Sequence, residues 1–227
     1  MSAEQKKTRG AVFYDVDGTL VDTNIVFVYV QYALRLQGIG KRFKKFLRSS
    51  LYAPFYVTAE LLSRSLFNRV FYSNYRGIRE EGLRILGREI VRDAVLPRLY
   101  EDARARIEKA ASMDLPQVIV SGSLDYVLEP LAEALGIEYV IANRLEIRDG
   151  KATGKLLGPV IAGEGKRVAM REFAREQGID LSRSYAFADS RADLQMLEAV
   201  GFPCAVNPDP FLRSRSEERG WPILRFQ

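Results

Sequence analysis

Four short runs of apolar residues punctuate the chain: Ala11 to Asp15 (AVFYD), Gln117 to Ser121 (QVIVS), Tyr139 to Ala142, and Tyr185 to Asp189 (YAFAD). Unbroken apolar runs of this length mark strands buried on both faces, as in a parallel sheet, whereas half-exposed strands alternate. Between them lie helical patterns. Arg98 to Ser112 is strongly charged on one face, and Leu124 to Leu135 carries apolar residues at 124, 127, 128, 131 and 135. Arg167 to Gln177 and Ala192 to Val200 follow. Strands alternating with helices of this length predict right-handed crossovers and an α/β fold, a doubly wound parallel sheet.

Two segments break the alternation. Leu145 to Leu156 holds Asp149-Gly150 between short alternating runs, which predicts a hairpin. Thr23 to about Leu96 shows no strand–helix rhythm and reads as several helices rich in Phe, Tyr, Arg and Lys. Its position directly after the first strand predicts a mostly helical insertion over the carboxyl edge of the sheet. Residues 1–22 and 97–227 then form the core, and 23–96 a helical cap domain. Trp221 and Pro222 to Phe226 are expected to add a last short strand or to pack on the core.

Composition narrows the chemistry. The 227 residues contain no histidine and one cysteine, Cys204. Without imidazole a Ser-His-Asp triad, a Cys-His dyad and a His-ligated zinc site are excluded. A lone cysteine cannot build an internal disulfide, which fits a reducing compartment and a cytoplasmic location. Met1 to Gly10 is polar and charged, unlike the apolar core of a signal peptide, and is expected to be a short frayed tail. The longest apolar stretch, Ile25 to Leu36, is too short to span a bilayer and carries Gln31 and Arg35. The net charge of +5 is concentrated: residues 22–96 hold 13 Lys and Arg against 6 Asp and Glu.

Candidate chemistry sits where the predicted strands end. Asp15-Val16-Asp17-Gly18-Thr19-Leu20 directly follows the first strand, at the edge where doubly wound folds bind ligands. Gly18 lets the chain turn sharply, so Asp17 faces the same opening as Asp15. Two carboxylates this close repel, and a bound Mg²⁺, which prefers carboxylate and carbonyl oxygens, relieves that repulsion. Ser121 ends the second strand, with Gly122 and Ser123 at a helix N-terminus suited to phosphate. Lys166 lies at the start of an amphipathic helix, where a cation opposes the macrodipole unless an anion is near. Asp189 ends YAFAD, and Asp193 follows four residues later. Helix capping and surface solvation explain each of the later three signals taken singly.

Together, and in this order, the four motifs resemble those of the haloacid dehalogenase superfamily of phosphotransferases, whose first motif is Asp-x-Asp-x-Thr. The likeness covers nearly the whole chain. It looks closest to the phosphoserine-phosphatase-like branch, through the run Glu133 to Lys151 and the position of the helical insertion. The resemblance implies a Rossmann-like core with a C1-type cap and a Mg²⁺-dependent phosphomonoester hydrolase. Asp15 would be the nucleophile, forming an aspartyl phosphate, and Asp17 the general acid and base. Ser121, Gly122 and Lys166 would bind the phosphate. The metal would be held by Asp15, the Asp17 backbone carbonyl and Asp189, with Asp193 in support. Dehalogenases of the family lack the second Asp, so Asp17 points to phosphoryl chemistry.

The chain departs from the branch at three positions. Asn24 stands where phosphoserine phosphatases place a glutamate for the substrate ammonium, Ser123 replaces a glycine, and Ala192 replaces an asparagine. The first departure argues against phosphoserine itself. The basic, aromatic stretch Lys41 to Arg48, with Tyr52, Phe55, Tyr56, Phe67, Phe71 and Tyr72 and with Arg64, Arg69 and Arg76, admits several readings. It is a ramp for an anionic, partly apolar substrate such as a phospholipid head, a peripheral contact with anionic membrane, or a cap whose aromatics form its own core. No nucleic-acid-binding motif is present, and oligomeric state is not legible. The expected partner is a small phosphomonoester. The alternatives to a phosphatase are a phosphomutase and a metal-binding interaction module without turnover.

Overall fold

The computed structural model describes residues 9–35 and 64–227. Its strands are β1 (Val12–Tyr14), β2 (Gln117–Leu124), β3 (Tyr139–Arg148), β4 (Lys151–Leu157), β5 (Tyr185–Ala188), β6 (Phe202–Val206) and β7 (Ile223–Leu224). They form one sheet in the order β4-β3-β2-β1-β5-β6-β7. Every neighbouring pair is parallel except the β3–β4 hairpin. The helices are α1 (Ile25–Arg35), α2 (Arg64–Tyr72), α3 (Glu80–Ile90), α4 (Glu101–Ser112), α5 (Asp125–Leu135), α6 (Glu164–Gln177), α7 (Leu194–Leu197) and α8 (Pro210–Arg219).

The apolar runs do become strands buried on both faces. Along β1, Val12 and Tyr14 join one core with Ile119, Phe187 and Val206. Ala11 and Phe13 join the other with Val118, Val120, Ala186 and Ala188. The first core is closed by residues of α3, α4 and α5, including Leu83, Ile107, Leu128 and Leu131. The second is closed by Met170 and Ala174 of α6, Leu197 of α7 and Leu212 of α8. β1 is central, and the chain leaves it toward β2 on one side and β5 on the other. The carboxyl ends of β1 and β5 thus flank the point where strand order reverses, the crevice in which such sheets bind ligands.

Several elements differ from the sequence expectation, each for a local reason. β3 does not stop at Ala142 but runs on to Arg148, leaving the parallel sheet to pair with β4. The hairpin turn is Asp149-Gly150, with Arg148 opposite Lys151 and φ of 49° and 68° at the two turn residues, the left-handed pair that twists a two-residue hairpin correctly. The helix expected from Ala192 is shorter: a 3₁₀ turn at Arg191–Asp193 leads into the four-residue α7. α6 begins at Glu164, earlier than expected, so Lys166 lies in its first turn. α4 begins three residues later than Arg98. β6 has no counterpart in the sequence reading, since Pro203 interrupts its apolar run. β7 matches the short last strand expected near the C-terminus.

Between β1 and β2 the described residues are helical. Tyr29, Tyr32, Phe67, Phe71, Tyr72 and Tyr75 are buried together, with Tyr29, Phe71 and Tyr72 in edge or tilted contacts at ring centroid distances of 5.3–5.6 Å. Phe67, Phe71 and Tyr72 are therefore core residues of this region, whereas Arg69 and Arg76 are exposed. Lys41 to Arg48, Tyr52, Phe55 and Tyr56 lie outside the described residues, as does the Arg64 side chain. No helix among the described residues is long and apolar enough to cross a membrane.

The helices are fitted closely. A Cβ on Gly87 in α3 would come 2.0 Å from the Tyr126 carbonyl oxygen of α5. Backbone cannot yield there as a flexible side chain would. Gly87→Ala should force α3 off α5 and destabilise the protein by about 1–3 kcal/mol, read as a lower urea midpoint at unchanged slope.

Candidate active site

The geometry at the β1–β5 crevice starts from Asp15. It follows β1 directly, and its N–H donates to the Phe187 carbonyl (2.9 Å), so the sheet ladder fixes its backbone. The residue is only 5% exposed. After it the chain reverses through Gly18, at φ 84°. A Cβ on Gly18 would lie 2.3 Å from Asp189 Oδ2, so the turn accepts only glycine while the Asp189 carboxylate occupies that space.

Lys166 reaches this point from α6. Its Nζ donates to Asp15 Oδ1 at 2.6 Å and to Asp193 Oδ1 at 2.5 Å, with all three side chains buried. Asp193 is held from its other oxygen by the Ser190 hydroxyl (2.5 Å). Asp189 accepts a long hydrogen bond from Thr19 Oγ1 (3.4 Å). One carboxylate oxygen from each of Asp15, Asp189 and Asp193 falls within 4.8 Å of the others. The Asp17 carboxylate lies outside that group. Its Oδ1 accepts from Thr23 Oγ1 (2.7 Å) and its Oδ2 from Ser123 Oγ (2.8 Å).

The electrostatics show a deficit of positive charge. Burial raises the Asp15 carboxyl to about 6, because the loss of solvation outweighs the pull of Lys166. Asp189 is pushed to about 9 by burial and by repulsion from Asp15 and Asp193. Burial opposes the charge on Lys166, but the Asp15 and Asp193 carboxylates overcome it and hold the ammonium above its ordinary range. One lysine thus faces three carboxylates, and among the described residues Asp189 is the one it does not bond. A hard divalent ion with oxygen ligands fits this donor set, since it would neutralise the excess charge and use the oxygens not taken by Lys166.

Ser121 and Gly122 stand across the cavity within β2, which does not end at Ser121 but runs on to Leu124, so that the next helix starts only at Asp125. Ser121 is buried, and its Oγ accepts from the Ser123 N–H (3.1 Å), which leaves the hydroxyl proton free to donate. The Gly122 carbonyl is held by two donors, Asn143 Nδ2 (2.7 Å) and Tyr72 OH (2.7 Å). Asn143 also accepts from the Ile161 N–H (2.9 Å), tying the middle of β3, where it leaves β2, to the loop before α6. A Cβ at Gly122 would come 3.1 Å from Asn68 Nδ2 and 3.2 Å from the Ile161 carbonyl oxygen, so the strand is pressed between α2 and that loop. The open cavity, of about 260 Å³, is lined by Asp15, Asp17, Ser121, Gly122, Lys166, Asp189 and Asp193, with Thr23, Asn24, Ile25 and Asn68 on the insertion side.

All seven site residues expected from the sequence therefore meet in one cavity. The residues that escaped sequence reading are those that orient them: Thr23, Ser123, Asn143, Ser190 and Tyr72. Ser123 and Asn143 carried a detectable signal, as polar residues immediately beyond a strand's apolar run. Tyr72 and Thr23 carried none, because their roles depend on how the insertion is docked.

Comparison with known proteins agrees with this geometry. Residues 12–198 match the model of the haloacid dehalogenase-like hydrolase family. A Mycobacterium tuberculosis protein named "Probable phosphatase" is 33% identical over 223 residues, covering 97% of this chain and 76% of that one. The crystal structure of a Bordetella pertussis protein of unknown function superimposes with a TM-score of 0.85 at 27% identity, over 96% of this chain and 99% of that one. A substrate-bound phosphoserine phosphatase shares the fold with a TM-score of 0.69 at 21% identity, over 97% and 94%. The chain belongs to the haloacid dehalogenase-like hydrolases and is a hydrolase of the phosphatase type.

The raised carboxyls make metal-free stability depend on pH. Asp15 and Asp189 ionise near 3.8 when unfolded but at about 6 and about 9 when folded. The folded state thus binds more protons between these values, and stability must fall as pH rises through them. In chelator-treated protein the melting temperature should decline from pH 5 to pH 9, and Asp189→Asn should flatten the decline, as measured by scanning calorimetry.

Proposed function

We propose that the protein is a Mg²⁺-dependent phosphomonoester hydrolase that works through an aspartyl phosphate on Asp15. The observation that carries this reading is the buried Asp15 carboxylate at a strand end, fixed on one oxygen by Lys166 and facing a cluster of two further carboxylates. Its carboxyl at about 6 is mostly ionised at neutral pH, as a nucleophile requires.

Asp15, the Asp17 backbone carbonyl and Asp189 would hold the ion, with Asp193 in support. When bound, Mg²⁺ supplies charge neutralisation for the phosphoryl oxygens. The protein's own groups do the rest. Ser121 Oγ donates its free proton to a phosphoryl oxygen, the Gly122 N–H lies on the same strand, and Lys166 supplies a fixed positive charge. An Asp15 oxygen attacks phosphorus, and the bond from phosphorus to the leaving alkoxide breaks. Asp17 gives that alkoxide its proton. In the second half Asp17 takes a proton from water as the water oxygen attacks the phosphorus, releasing phosphate and restoring Asp15. Thr23 and Ser123, each donating to one Asp17 oxygen, hold that carboxylate for both transfers.

The substrate class is a small anionic phosphomonoester. The relative's name and the phosphoserine phosphatase fold support phosphatase chemistry, while Asn24 separates this chain from phosphoserine itself.

Asp15→Asn should lower Mg²⁺-dependent hydrolysis of p-nitrophenyl phosphate by roughly 10³-fold or more, with its melting temperature preserved. Retained turnover in that variant would refute the covalent route. Chelation should abolish activity and added Mg²⁺ restore it. The thermal stabilisation by Mg²⁺ should grow from pH 6 to pH 9, because the ion must displace protons from the raised Asp15 and Asp189 carboxyls.

A further inference from the structure

The cavity has a neutral side. Its charged lining, Asp15, Asp17, Asp189, Asp193 and Lys166, lies at the strand ends and in α6, whereas Thr23, Asn24, Ile25 and Asn68 on the insertion side carry no charge among the described residues. Asn24 is already engaged, since its Oδ1 accepts from the Phe27 N–H (2.9 Å) at the start of α1.

Asn68 is not. It is 1% exposed, it lines the cavity, and its Oδ1 has no hydrogen-bond partner. A buried carboxamide oxygen left unpaired costs free energy that an apolar residue of similar size would avoid. Its Nδ2 is packed toward the Gly122 Cα. Tyr72, one helical turn on, donates its hydroxyl to the Gly122 carbonyl and so anchors the same face of α2 over β2. Asn68 is thus placed over the Gly122 backbone by the docking of α2, with its Oδ1 left unpaired.

We propose that Asn68 is a specificity-determining residue that hydrogen-bonds a hydroxyl on the leaving group of the substrate. The inference rests on the phosphomonoesterase reading of the site. A hydroxyl both donates and accepts, so it satisfies either face of the carboxamide, which a half-turn of its terminal torsion exchanges. The favoured substrates are therefore phosphomonoesters of polyols or other hydroxylated alcohols.

Three matched esters test this: 2-hydroxyethyl, 2-aminoethyl and ethyl phosphate, compared as kcat/KM or, where turnover is slow, as competitors of p-nitrophenyl phosphate. The full-length Mg²⁺-loaded enzyme should prefer the hydroxyethyl ester over the ethyl ester by roughly 10–100-fold, the worth of one buried hydrogen bond. Asn68→Ala should bring that ratio close to one. Asn68→Asp, nearly isosteric, should shift preference to the aminoethyl ester, which keeps the test decisive should the alanine variant fold poorly. A wild-type ratio near one, a wild-type preference for the aminoethyl ester, or a ratio unchanged by both substitutions would overturn the proposal. Each of those results leaves the Asp15-dependent phosphatase reading intact, whereas p-nitrophenyl phosphate turnover surviving in Asp15→Asn would remove both.

Discussion

The bridge from Lys166 to Asp15 and Asp193 is the interaction on which the rest depends. It joins the end of β1, the first turn of α6 and the turn before α7 through one buried ammonium. Removing a partner from such a bridge leaves an uncompensated charge inside the protein, which is far costlier than losing a surface pair. The surrounding features follow from accommodating it. Gly18 makes room for Asp189 beside the pair, and Gly165, whose Cβ would lie 2.0 Å from the Val160 carbonyl oxygen, lets α6 begin close enough for Lys166 to reach inward.

A second layer of contacts turns that charged cluster into an oriented site. Hydroxyls from Thr23, Ser123 and Ser190 each donate to a site carboxylate. Asn143 and Tyr72 converge on one carbonyl, that of Gly122, from opposite parts of the chain. The Tyr72 contact ties the aromatic cluster of Tyr29, Phe71, Tyr72 and Tyr75 directly to the Gly122 backbone. A displacement of α2 would therefore be felt at Gly122 and, through the Gly122–Ser123 peptide, at Ser121 and Asp17.

How much of this could be read in advance depended on range. The parallel sheet was visible because strands buried on both faces are apolar along their length, as AVFY, VIV and YAFA are. The chemistry was visible because Asp15, Ser121 and Asp189 each directly follow such a run, where a doubly wound sheet exposes its ligand edge. β6 was not visible, because Pro203 breaks the pattern and its burial is supplied by neighbours distant in sequence. The length of β3 was hidden for a related reason. The chain stays extended past Ala142 only because β4 returns to pair with it, although Asp149-Gly150 did announce the turn.

Local sequence by itself thus determined which residues carry reactive groups and that they would emerge from one edge of a parallel sheet, since strand burial and tight turns are written in consecutive side chains. Only the tertiary structure decided what those groups do to one another: that Lys166 is shared between two carboxylates, that it does not bond Asp189, and that Asn68 is buried with an unpaired oxygen. Those outcomes are set by distances between residues far apart in the chain, and by the solvent that folding removes from around them.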